Sequence, residues 1–132
     1  MKAAASSATA SKPRSRASGQ RLLDVDHAYS LLEKREHVLH MLKLLLSTVP
    51  DDLANIDQQL AAGDREAAYR VLHQLKGFLP MFCTPAFSKE LQAITRLWKN
   101  DPDDFDVKFP AVREKILRVC QQAREHLAAD RG

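Results

Sequence analysis

His73-Gln74-Leu75-Lys76-Gly77-Phe78-Leu79-Pro80-Met81-Phe82-Cys83 puts an imidazole, a cation and a residue without a side chain on one helical face. At about 100° per residue, Lys76 falls roughly 60° to one side of His73 and Gly77 roughly 40° to the other, with Pro80 nearly in line. Tyr69 and Arg70 extend the same face backwards. Ala68, Val71, Leu75, Phe78, Leu79 and Phe82 fall on the far side, so the pattern predicts an amphipathic helix whose histidine faces away from the core.

Immediately upstream, Gly63 suits a left-handed helix end and Asp64 an N-cap, so the histidine helix is expected from about Arg65 to Phe82. Before that turn, Val38, Leu42, Leu45, Leu46, Val49, Leu53, Ile56 and Leu60 recur in three- and four-residue steps. They predict one long helix from about Glu36 to Ala62, kinked rather than divided at Pro50. Asp26 is expected to cap a short N-terminal helix reaching Leu32. Downstream, Thr84 and Pro85 read as N-cap and first helical residue, with Phe87, Leu91, Ile94, Leu97 and Trp98 as the apolar stripe. Asn100-Asp101-Pro102 ends that helix. A last one, from about Phe105 or Pro110 to Ala129, turns Val112, Ile116, Val119, Cys120, Ala123 and Leu127 inward. The predicted fold is all-α: an antiparallel up-down four-helix bundle with a short additional N-terminal helix.

Composition agrees with this. The 132 residues are 45% hydrophobic and 6% aromatic, with four glycines, enough for one core and poor in strand-forming runs. The net charge of +3 is concentrated in residues 1–20, where Lys2, Lys12, Arg14 and Arg16 have no acid for company. That Ala- and Ser-rich stretch is expected to be a disordered tail or linker, and residues 21–132, near neutral, to be the folded domain. The basic balance is therefore no footprint of specific nucleic-acid binding. There is no signal-peptide core and no run long and apolar enough for membrane insertion. Cys83 and Cys120 lack metal-site spacing and are expected as reduced, buried thiols.

The stretch resembles the signature of histidine-containing phosphotransfer (HPt) domains, a His-x-x-Lys-Gly core with a second glycine six residues after the first. His73, Lys76 and Gly77 match the core. Val49-Pro50-Asp51-Asp52-Leu53 and Leu60-Ala61-Ala62-Gly63-Asp64 look like the family's preceding helix and turn, so the resemblance spans roughly residues 22 to 130. The chain departs from the pattern where Phe78, Leu79, Pro80 and Met81 replace small residues and Cys83 replaces the second glycine.

The resemblance implies that His73 accepts a phosphoryl group from a receiver-domain aspartate and passes it to another receiver. Lys76 attracts the phosphoryl oxygens and Gly77 leaves access for the docking partner. Receivers supply the Mg²⁺; no cofactor is expected on this chain, which has no glycine-rich nucleotide loop and so no autonomous kinase activity. Tyr69, Arg70, Gln74, Pro80 and Met81 are the expected partner-binding residues. The implied partners are response-regulator receivers and a hybrid sensor kinase, met by a monomer in the cytoplasm or on the cytoplasmic part of a membrane-bound kinase.

Blander readings compete. His27, His37, His40 and His126 read as ordinary solvated or satisfied side chains. His37 and His40 have metal-compatible spacing but no evident third ligand. Phe78, Phe82, Phe87 and Trp98 read as core. The main functional alternative is a non-phosphorylatable HPt-like adaptor that binds a receiver or sensor kinase; a further one is a scaffold whose basic tail meets nucleic acid or an anionic membrane surface.

Overall fold

The computed structural model describes residues 21–131, so the expectation for residues 1–20 lies outside it. The described residues are helical throughout, apart from one isolated bridge and short connections: α1 (Val25–Leu32), α2 (Arg35–Ala61), α3 (Arg65–Phe78), a 3₁₀ turn (Leu79–Met81), α4 (Pro85–Asn100) and α5 (Pro102–Arg131). Helix α2 packs against α3 and α5, and α4 packs against the same two, so the four long helices close a ring around one core. Helix α1 lies over α2 and the 3₁₀ turn.

Each boundary has a local cause. Helix α1 is capped by Asp24, whose carboxylate accepts from the His27 amide at 3.1 Å, two residues earlier than the sequence suggests. Asp26 instead occupies the first turn, where its charge favours the positive helix end. Helix α2 runs unbroken through Pro50. Gly63 takes φ +82°, the left-handed conformation that glycine adopts without Cβ strain. Asp64 then accepts from the Ala67 amide at 3.0 Å and starts α3.

Helix α3 stops at Phe78 instead of continuing to Phe82. Pro80 has no amide to donate to the carbonyl one turn back, and the backbone tightens into the 3₁₀ turn, with the Phe82 amide donating to the Leu79 carbonyl at 2.9 Å. The Thr84 hydroxyl accepts from the Phe87 amide at 3.3 Å and Pro85 opens α4 as expected. Helix α5 begins at Pro102, not at Phe105 or Pro110. The Asp101 that ends α4 also accepts from the Asp104 amide at 3.2 Å, and Pro102 serves as a first helical residue. Pro110 is accommodated inside α5.

The core holds most of the residues the helical spacing selects, among them Leu42, Leu45, Leu53, Leu75, Phe82, Phe87, Leu91, Ile116 and Val119; Leu72, which the spacing did not select, is buried with them, and Val71, which it did, is only partly buried. Phe105 joins them once α5 is extended, whereas Phe78, Leu97 and Leu127 are only partly buried against the cluster. A strap before α1 ties the first described residues to α5 and to the segment after the 3₁₀ turn. The Leu22 and Leu23 amides donate to Gln122 Oε1 at 3.0 and 2.9 Å, and Leu23 pairs with Cys83 in a single antiparallel bridge. Flanking it, the Asp24 amide donates to the Phe82 carbonyl at 2.6 Å and the Thr84 amide to the Leu22 carbonyl at 2.9 Å.

Among the described residues, no helix is long and apolar enough to cross a membrane. Cys83 and Cys120 are free and buried, and burial pushes the Cys83 thiol up to about 12.

Candidate functional site

Helix α3 turns Ala68, Leu72 and Leu75 into the core and leaves His73 and Gln74 in solvent. His73 is not a loose surface side chain, because the Tyr69 ring one turn back lies 5.9 Å from it, centroid to centroid. Tyr69 is in turn stacked on Trp98 at 5.3 Å, and Trp98 meets the buried Phe105 edge-on at 5.1 Å. The exposed imidazole thus stands at the end of an aromatic row anchored in the core. The Arg65 guanidinium covers the indole at 4.6 Å and pairs with Asp106 at 3.2 Å, tying α3 to α4 and α5.

Lys76, half-buried, follows His73 on the α4 side. It shares a depression of about 180 Å³ with Tyr69 of its own helix and with Thr95, Arg96, Lys99 and Asn100 of α4. No ion pair engages Lys76, Arg96 or Lys99 among the described residues. The Thr95 hydroxyl is already committed, donating to the Leu91 and Gln92 carbonyls at 3.0 and 2.8 Å. On the other flank, a Cβ built on Gly77 would meet nothing within 4 Å. Packing among the described residues therefore gives no reason for a glycine there.

The remaining predicted contact residues are spread out. Arg70 and Gln74 are exposed beside His73, whereas Pro80 and Met81 belong to the 3₁₀ turn and Met81 packs against the core cluster. Tyr69 stacks toward α4, whereas Pro80 lies beyond the end of α3. Sequence reasoning missed the α4 side altogether. Trp98, read as core, is only half-buried and supports the site; Arg96 and Lys99 went unnoticed, and Asn100 was read only as a helix end. Their polar three- and four-residue spacing was visible, but which neighbour that stripe would face depends on how α4 packs.

The side chains around His73 do not suit a metal ion, since its flank carries cations, and among the described residues no group of three or more His, Cys, Asp or Glu is arranged to hold one. His27, His37 and His40 are exposed. His126 departs from the solvated reading: it is half-buried and its Nε2 has no hydrogen-bond partner, which nothing in the structure explains.

A family model, the Hpt domain, matches residues 40–129, which include the whole of α3 and α4 and most of α2 and α5. The chain belongs to the Hpt domain family. Domains of this family are carrier modules of two-component phosphorelays and work with receiver domains; they are not kinases. No curated protein and no solved structure matches the chain.

Proposed function

We propose that this chain carries a phosphoryl group on His73 between receiver domains of a phosphorelay. The observation that carries the proposal is the exposed His73 imidazole held between Lys76 and an unobstructed Gly77 on α3, inside the span matched by the Hpt domain. A nitrogen lone pair of the neutral imidazole attacks the phosphorus of a receiver's aspartyl phosphate. The P–N bond forms as the P–O bond breaks, the electron pair leaves with the aspartate carboxylate, and the remaining ring proton goes to solvent. Delivery to the next receiver reverses these steps.

Lys76 neutralises charge on the phosphoryl oxygens in both directions. The receiver brings the Mg²⁺, and Gly77 lets its backbone approach. Arg70 and Gln74 beside His73 meet the partner's polar rim, and Tyr69, Pro80 and Met81 contribute apolar contact at separate points of the same face. The tail of residues 1–20 acts as linker and residues 21–132 as one domain. We read α2 to α5 as an antiparallel up-down bundle, which the short turns between successive helices and the closed ring of neighbours support. On this reading the protein works as a monomer on the cytoplasmic side, with a hybrid sensor kinase upstream.

The test is to mix the protein with Mg²⁺-loaded, phosphorylated receivers and look for acid-labile, alkali-stable phosphate. Label on the wild type and none on His73→Gln is the expected result. Receivers that bind without labelling either form would replace the carrier with an adaptor.

A further inference from the structure

We propose that Arg96 and Lys99 of α4 are positioning residues for the phosphoryl group on His73, completing with Lys76 an anion seat built across two helices. The inference deepens the carrier reading and rests on it. Tyr69, His73 and Lys76 follow one another at four- and three-residue steps, so the imidazole stands between the two α3 residues that line the depression. The opposite wall is α4, which contributes Arg96 and Lys99.

Three cations therefore border one recess of about 180 Å³ next to the histidine, with no carboxylate on its walls. Four other cations are matched across helices: Arg113 with Asp57, Lys115 with Glu90, Arg65 with Asp106 and Arg35 with Asp130. Unpaired like charges gathered in a recess repel one another, and low-dielectric walls sharpen the field they project. A phosphoryl dianion at the rim relieves that repulsion, and a guanidinium offers its oxygens a forked donor that an ammonium lacks. The brace of Tyr69 on Trp98 fixes the separation between the two helices at this level, so the seat is preformed.

Phosphoramidate separates this role from receiver docking. In that reaction a His73 nitrogen attacks phosphorus, and the donor's P–N bond breaks with its electron pair leaving on ammonia. Wild type, Arg96→Ala/Lys99→Ala and Arg96→Lys/Lys99→Arg would be labelled to plateau and followed by ³¹P NMR across pH. Helix content by circular dichroism would check that each is folded.

The alanine pair should reach a plateau at least threefold lower, and its phosphoryl resonance should titrate at higher pH, because the dianion has lost its counter-charge. The charge-conserving pair should restore both. An unchanged plateau and titration in the alanine pair would overturn the proposal, and a defect confined to transfer from receivers would overturn it in favour of docking. Failure of the wild type to label from phosphoramidate and from every receiver would instead remove the carrier reading itself, and the seat with it.

Discussion

Replacing Gly77 by alanine should make the protein more stable and a worse phosphotransfer partner. Glycine in a helix costs up to about 1 kcal/mol relative to alanine, mostly because the unfolded chain loses more freedom. At Gly77 φ is not positive, and the added methyl would meet nothing within 4 Å, so no strain offsets the gain. Gly77 lies inside α3, next to its last residue, so a gain of about 0.5–1 kcal/mol is expected. For a domain of this size that corresponds to roughly 2–4 °C in Tm. Urea unfolding followed by helix circular dichroism and by the fluorescence of Trp98, the single tryptophan, would measure it. In parallel, transfer from a phosphorylated receiver should fall about tenfold, equivalent to about 1.4 kcal/mol at the transition state, while labelling by phosphoramidate stays at the wild-type level. Equal transfer rates for Gly77→Ala and wild type would refute the access argument. A loss of stability would refute the structural premise that the position is open.

Gly63→Ala should behave in the opposite way, losing about 1–2 kcal/mol by denaturant titration, because φ +82° penalises any Cβ even though the space around it is empty. Asp52→Asn should raise stability at neutral pH. Burial and then the neighbouring Asp51 push the Asp52 carboxyl upward, so the folded state holds its proton to higher pH than the unfolded chain, and the ionised form costs stability above the ordinary carboxylate range. The gain should shrink as pH falls through the raised folded value toward about 4 and be gone below it, where both states are protonated; a gain that persists there would contradict the burial argument. Cys83 and Cys120 should alkylate about a hundredfold more slowly in the native protein than in urea at pH 8, because burial removes both access and thiolate; equal rates by mass spectrometry would contradict it.

The features legible in the sequence were those fixed within a turn or two of chain. Gly63 and Asp64 declare the α2–α3 connection, Thr84 and Pro85 declare the start of α4, and the spacing of Val38 through Ile56 declares the buried stripe of α2. Where two signals overlapped, reading became harder. Asp101-Pro102 is both the end of one helix and the beginning of the next, and only the stop was read. Asp24 and Asp26 are both plausible caps, and the choice falls to Asp24 because the strap already holds its amide against the Phe82 carbonyl. At the candidate site, the α3 contribution was written in local spacing. The α4 contribution was not: Trp98 beneath Tyr69 and the cations beside Lys76 come from the way two helices are set against each other. No local pattern encodes that placement.

The strap at Leu22–Asp24 also bears on the order in which the chain acquires its structure. Most helix neighbours are consecutive in sequence, so much of the bundle can assemble through short-range search with a modest loop-closure penalty. The strap is different, for its amides reach Gln122, a hundred residues away, and its bridge partner exists only once the chain has turned after Pro80. It has nothing to hold until α5 and the 3₁₀ turn are in place. It should therefore dock late, speed of unfolding rather than of folding should record its loss, and the amides of Leu22 and Leu23 should exchange earlier than those of the bundle they fasten.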